Sequence, residues 1–414
     1  MEVDSVPQQA VQDIGQIDRA DLVVGIIADL NREDVAEICD ALGTLPGNPR
    51  IVVLQNRSDR PPIGSTPAQD SSLSLIPWPL QNQGSPTTPV EGMLAAYQSI
   101  LTIGEELGAR GCCVIASKLE HAPSRWVCRL AVPLLEASCD FVAPSYARRK
   151  FDGLLNSSII SPLTRSLYGL RIQNPMGPDL GISQRLFQGL RDGDQHGNAG
   201  GNGMHLLASL VPLVLCGNLQ ASQTYLGARR YPPSDWTYVS SLLSEILGPI
   251  FLAMERNAAC WQRTRTSSPV KTLNEPMSAP QTAGTVEIDR LVNSFQLGIR
   301  DLQEIWGLVL PPASLLELRK LARLPTEQFH VPDELWVRII YDFALAHRLR
   351  TINRDHLLRS LTPLYLGWVA SYAGELATAE ENAVEHRLER LSLAFEIGKP
   401  YLVSRWRWPD RFNP

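Results

Sequence analysis

Apolar runs of strand length alternate with amphipathic stretches through most of the chain. From Asp21, DLVVGIIA reads as a buried strand, REDVAEICDALG has helical spacing, and RIVVLQ is a second apolar run. The alternation continues through SLSLIPW, TPVEGMLAAYQSILTIGEELG, CCVIA and PSRWVCRLAVPLLEAS, with Pro123 near the first turn of the last helix. FVAPSY and LQASQTYLG are further strand candidates, MHLLASLVPLVLCG a helix, and the stretch from Trp236 to Trp261 another helix. Such alternation predicts a parallel sheet with helices on its faces, the arrangement in which ligands gather at the carboxyl ends of strands.

The pattern changes near the end of this series. Residues 263–285 are polar and rich in Pro and Ser and predict a linker. Beyond it, VEIDRLVNSFQLGIRDLQEIWG, DELWVRIIYDFALAH, RDHLLRSLTPLYLGWVASYAGEL and EENAVEHRLERLSLAFEIGK all have helical spacing. The expected organisation is a mobile tail over 1–20, an α/β domain over 21–262, the linker, and a helical domain over 286–414. The closing RWRWPDRFNP is expected to dock with Trp406 and Trp408 inward and its arginines outside.

Composition narrows the function classes. With 44% hydrophobic and 20% charged residues, the 414-residue chain is neither disordered nor fibrous. A formal charge of −5 argues against a general nucleic-acid binder and favours small molecules or proteins as partners. No apolar run has bilayer length, and the polar, acidic start predicts no secretion signal. The 7 cysteines include no C-x-x-C pair and no Cys/His cluster with zinc spacing, which fits a reduced, cytoplasmic compartment. Cys112 and Cys113 are strand neighbours, expected as core packing. The run DGDQHGNAGGNG lacks the lysine and hydroxyl that end a phosphate-binding loop, so it is expected as solvated loop.

From Cys139 to Gly181 the chain reads CDFVAPSYARRKFDGLLNSSIISPLTRSLYGLRIQNPMGPDLG. This span resembles the retaining glycosyltransferases of the glucosylglycerate synthase and glucosyl-3-phosphoglycerate synthase type. That group has a GT-A, Rossmann-like nucleotide-sugar-transferase domain followed by helices. The blocks at Asp21 to Ala28, Cys112 to Val127 and Gly217 to Trp261 fall in matching order, as do PDELWVRIIYDFALAHRL, RDHLLRSLTPLYLGWVASY and KPYLVSRWRWPDRFNP. The resemblance implies a nucleotide sugar and a glycerate-type acceptor as ligands, and pairing either with a second copy or with an active relative.

The same resemblance implies magnesium or manganese held by a D-x-D motif, because two carboxylates can hold the cation that neutralises a departing nucleotide diphosphate. Here the corresponding strand ends Ala116-Ser117-Lys118. Tyr231 and Pro232 stand where a His-Asp pair would fall, and Gly203 stands at the carboxylate of a G-x-D-x-W pattern. Glu91-Gly92 replaces a Lys-Gly, and the first strand ends Ile27-Ala28-Asp29. No metal ligands and no cofactor are therefore expected. His205, flanked by Met204 and Leu206, is expected as a helix residue rather than a base.

Other positions match the family. Arg148, Arg149, Lys150, Asp152 and Gly153 fall on its basic segment, and Asn156, Pro162, Leu163, Thr164, Arg165 and Gly169 on the stretch that binds the acceptor. Arg148, Lys150, Asn156, Thr164 and Arg165 are the acceptor-site candidates, since guanidinium, ammonium, hydroxyl and amide groups suit a carboxylate or phosphate. Gly177 and Asp179 match a G-x-D-x-G loop whose carboxylate accepts from sugar hydroxyls, although Asp179 also stands where it could cap the next helix. Lys118, Arg229 and Arg230 complete the nucleotide-sugar candidates as cations near a diphosphate, at most one of the adjacent arginines reaching it.

Three functions follow. The chain is a pseudoenzyme or regulatory partner, because its metal and carboxylate positions are replaced together. Alternatively it is a metal-independent transferase with Lys118 and one arginine countering the diphosphate. The third is a binding module that senses a small carboxylate or phosphate through Arg148, Lys150, Thr164 and Arg165.

Overall fold

The computed structural model describes residues 14–56, 72–78, 89–117, 124–194, 203–229, 238–274, 286–377, 379 and 381–408. It divides into two compact units. The first takes Met1–Ala147, Ile172–Arg230 and Val270–Ala279, and the second Arg148–Arg171, Tyr231–Pro269 and Pro280–Pro414.

The first unit is built on a sheet of β1 (Leu22–Ile26), β2 (Ile51–Asn56), β3 (Leu73–Trp78), β4 (Gly111–Ile115), β5 (Phe141–Ala147), β6 (Leu180–Ser183), β7 (Ala221–Ala228) and β8 (Lys271–Thr272). Its order is β8-β7-β5-β6-β4-β1-β2-β3. All neighbours are parallel except β6, which runs antiparallel between β4 and β5. The sequence pattern does not predict this strand: it places the next helix directly after Asp179, whereas Leu180–Ser183 is strand and the helix begins at Gln184. β1, β4 and β5 are buried along their whole length, which is why they read as continuous apolar runs rather than alternating ones. Helices Arg32–Gly43 and Ser124–Leu135 cover one face, burying Val35, Ile38, Leu42, Val127 and Leu130 against Val24, Ile26, Val53 and Cys113. Asn31 caps the first of them by accepting from the Asp34 amide at 2.7 Å. All 7 cysteines are free thiols, and burial pushes Cys112 up to about 12.

Part of the expected linker is sheet. β8 pairs with β7, and the Asn274 amide extends the pairing: Oδ1 accepts from the Tyr225 N–H at 2.7 Å while Nδ2 donates to the Tyr225 carbonyl at 2.9 Å. A side-chain amide thus does what a strand backbone would. Of the expected linker, 275–285 lies outside the described residues, as does 195–202 of the glycine-rich run.

The second unit is helical. Val239–Arg256, placed in the α/β domain by the sequence pattern, belongs to this unit, packing against Arg354–Ser360 and Asp333–Leu349 with Leu243, Leu247, Phe251 and Met254 buried. Trp336 stacks on Trp368 at 5.9 Å, and Trp368 on Tyr372 at 5.1 Å. Among the described residues no helix is long and apolar enough to cross a membrane.

The C-terminal segment differs from expectation in two places. Trp406 is inward, edge-on to Trp261, but Trp408 is 63% exposed, because the last helix ends at Arg407. Arg405 is not outside either, since its guanidinium donates to Asp342.

Candidate functional site

Inverting β6 brings its amino end to the same edge of the sheet as the carboxyl ends of the parallel strands. Val114 of β4 pairs with Leu180, so Asp179 lies level with the end of β4. Asp179 has 0% exposure. One carboxylate oxygen, Oδ1, accepts from the backbone N–H groups of Ala116 at 2.7 Å and Ser117 at 2.8 Å. The other accepts from the Tyr146 hydroxyl. Hydrogen bonds to a charged acceptor contribute roughly 1.5–3 kcal/mol each, so this carboxylate is firmly held. It does not cap the following helix; Ser183 Oγ takes that role, accepting from the Leu186 N–H at 3.3 Å.

Tyr146 is aimed by a β-bulge. Ser145 pairs with Tyr225 and Tyr146 with Gly227, so Leu226 is the extra residue on β7. Gly227 adopts φ +98, which a side chain would resist. Past the bulge, Arg229 places its guanidinium over the Tyr146 ring, 5.7 Å from the centroid. Burial and the Asp179 carboxylate push the Tyr146 hydroxyl well above its ordinary range, with Arg229 opposing them. The same three influences act on Tyr97, whose hydroxyl donates to the Pro178 carbonyl. Ser117 is buried beside Tyr146, and its side chain partly offsets the upward push on the Tyr146 hydroxyl. Gly177 is required by close approach, since a Cβ there would lie 2.1 Å from Pro144 Cγ.

Of the nucleotide-sugar candidates, Asp179 and Arg229 meet around Tyr146, while Gly177 holds the loop against β5. Lys118 and Arg230 lie outside the described residues, as do Tyr231 and Pro232. His205 is in the helix Gly203–Cys216, as expected. Tyr97 and Tyr146 were missed by the sequence reasoning. A tyrosine closing an apolar strand before a basic segment was the available signal for Tyr146; Tyr97 looks like any apolar helix position.

The acceptor-site candidates belong to the second unit, where Arg148, Lys150 and Arg165 donate to internal partners. Lys150 Nζ donates to the carbonyls of Leu376 at 2.9 Å and Ala379 at 2.7 Å, beside the end of helix Thr362–Leu376, where a cation suits the exposed carbonyls. Arg165 is 6% exposed. Its Nη1 and Nη2 donate to Glu389 at 2.6 and 2.8 Å, and Nε to Glu396 at 2.5 Å. Arg148 donates to Ser157 Oγ. Thr164 is buried, and Asn156 opens a π-helix, Asn156–Ile160. Lys150 and Arg165 are thus clamped within the second unit, the one by carbonyls and the other by carboxylates.

The residues at the end of β4 do not suit a divalent cation. Ala116 and Ser117 carry no carboxylate, and the lone pairs of Asp179 face N–H and O–H donors. Among the described residues no group of three or more His, Cys, Asp or Glu could hold a metal ion.

No family model matches this sequence, and no curated protein does. Solved structures of glucosyl-3-phosphoglycerate synthase from Mycobacterium tuberculosis are similar. The complex with Mn2+, UDP-glucose and phosphoglyceric acid has TM-score 0.37 and 19% identity, covering 64% of this chain and 93% of that one. The complex with Mn2+, UDP and glucosyl-3-phosphoglycerate has TM-score 0.38 and 17% identity, covering 58% and 83%. The similarity is distant. A further mycobacterial protein has TM-score 0.37 and 16% identity over 59% of this chain and 78% of that one.

Proposed function

We propose that this chain is a glycosyltransferase-like protein that does not transfer sugar and acts as a regulatory partner, by pairing with a second copy or with an active relative. The observation that carries this reading is the orientation of Asp179. The one carboxylate of the G-x-D-x-G loop is turned into the end of β4, where Ala116 and Ser117 stand in place of metal-binding carboxylates. Transfer from a nucleotide sugar needs positive charge against the leaving diphosphate. Arg229 follows β7 at this edge, and its guanidinium lies against Tyr146, near a buried negative charge. The reading does not run through glycerate sensing, because the donors of Lys150 and Arg165 are engaged internally.

The test is release of nucleoside diphosphate from UDP-glucose and GDP-glucose, with glycerate or 3-phosphoglycerate as acceptor, in Mn2+ and in EDTA. No release above the enzyme-free blank is expected under any condition. Turnover in EDTA that Lys118→Ala abolishes would replace this reading with a metal-independent transferase.

A further inference from the structure

Three segments of the second unit, 255–265, 342–354 and 399–408, together carry nine Lys and Arg and two acidic residues. That is +7 in a chain whose formal charge is −5. The fold brings the three together. Arg348 Nη1 donates to the Trp406 carbonyl at 2.6 Å, with its guanidinium 4.6 Å from the centre of the Trp406 ring. Trp406 meets Trp261 edge-on at 5.3 Å, Arg407 Nε donates to Gln262 Oε1 at 2.7 Å, and the buried Lys399 donates to the Thr264 carbonyl at 2.9 Å. Helices Val239–Arg256, Asp333–Leu349 and Glu381–Arg407 all end in these segments, so part of the charge answers the partial negative charge of helix carboxyl ends. Three such ends supply about half a charge each, far less than the excess. The two carboxylates of the segments are already engaged, Glu255 by Arg354 at 3.1 Å and Asp342 by Arg405. Arg263, Arg265, Arg350 and Arg407 are exposed. Next to them in the chain, Leu349 is 39% exposed and Trp408 63%.

We propose that this end of the helical unit docks on an anionic bilayer surface, with Arg263, Arg265, Arg350 and Arg407 against lipid phosphates and Trp408 and Leu349 at headgroup level. A soluble polyanion engages the guanidinium groups and leaves the two apolar side chains in water. A bilayer takes both, because a tryptophan ring suits the boundary between water and hydrocarbon and each cation near an anionic leaflet adds to the attraction. The acidic excess over the rest of the chain confines that attraction to this end and so sets the orientation of docking. This goes beyond the regulatory reading and does not rest on it, since docking needs neither sugar transfer nor a protein partner.

The experiment is co-sedimentation of the full chain with vesicles of phosphatidylcholine alone and of phosphatidylcholine with about 30% phosphatidylserine, at about 0.1 M salt. Binding is expected to the serine-containing vesicles and not to phosphatidylcholine alone, weakening as salt is raised to about 0.5 M. Arg263→Gln with Arg350→Gln should lower partitioning about 25-fold, roughly fivefold for each arginine. Trp408→Ala should lower it about tenfold, by withdrawing apolar area from the headgroup layer. If the full chain does not bind the serine-containing vesicles, or the folded double variant binds them as the unaltered chain does, the proposal is overturned. Vesicle binding that Trp408→Ala leaves unchanged also overturns it, in favour of a soluble polyanion such as RNA or an acidic protein segment. Should the double variant not fold, Trp408→Ala decides alone. None of these readouts involves turnover or pairing, so the two proposals fail separately.

Discussion

Replacing Arg165 by Met separates a ligand-binding arginine from a structural clamp. The guanidinium is 6% exposed and makes three charged hydrogen bonds within the second unit, two to Glu389 and one to Glu396. Removing one partner of a buried ion pair costs about 3–5 kcal/mol, because the other charge is left uncompensated. Here the Glu389 side chain is 49% exposed and can rehydrate, so its share falls toward the ~1 kcal/mol of a surface pair. Glu396, 23% exposed, keeps a hydrogen bond from Ser267 Oγ and loses more. The expected loss for Arg165→Met is therefore about 3 kcal/mol, and that for Glu389→Gln about 1 kcal/mol. Urea unfolding should show both as shifts in midpoint with little change in slope. Melting with millimolar 3-phosphoglycerate supplies the complementary readout, and neither the unaltered chain nor Arg165→Met should shift. The clamp argument is refuted if Arg165→Met unfolds within about 0.5 kcal/mol of the unaltered chain and loses a ligand-induced shift that the unaltered chain has.

Two further expectations concern pH and backbone approach. His347 is 3% exposed, edge-on to Phe251 at 5.6 Å, and burial, with Arg354 and Arg350, pushes it down to about 4. Its neutral form is native, so its contribution is complete above its ordinary value of 6.5 and falls as pH drops toward 4, by roughly 2–3 kcal/mol at pH 4.5. Burial pushes Asp342, on the same helix, up to about 7, which favours folding at lower pH and is lost as pH rises through 7. His347→Phe keeps the Asp342 contribution and should abolish the His347 one, so parallel losses in the two proteins between pH 7 and 4.5 would contradict the assignment. Gly177→Ala should cost about 1–3 kcal/mol by melting, because its Cβ meets the Pro144 ring, which sits within β5. An unchanged melting temperature would show that the loop yields.

Much of the fold was legible because its signals are local. LVVGI, IVVLQN and GCCVI are strands with no helical spacing, and Asn31 followed by acidic residues marks a helix start. The candidate site was legible in part. The chemistry of Lys150 and Arg165 can be read directly, but their partners cannot. The acceptors for Arg165 lie 224 and 231 residues further along, and those for Lys150 lie 226 and 229 residues away. Nothing in a short window distinguishes an arginine awaiting an anion from one that will meet a glutamate on a distant helix.

The sequence by itself determined the class: a layered α/β part and a helical part. The tertiary structure decided what the remaining polar groups do. Inverting one short strand set Asp179 against the end of β4, and a bulge at Gly227 accompanies the turn of Tyr146 toward it. The physical reason is range. Hydrophobic periodicity follows from the geometry of neighbouring residues, whereas the partner of a buried charge is whatever the completed fold brings within hydrogen-bond distance.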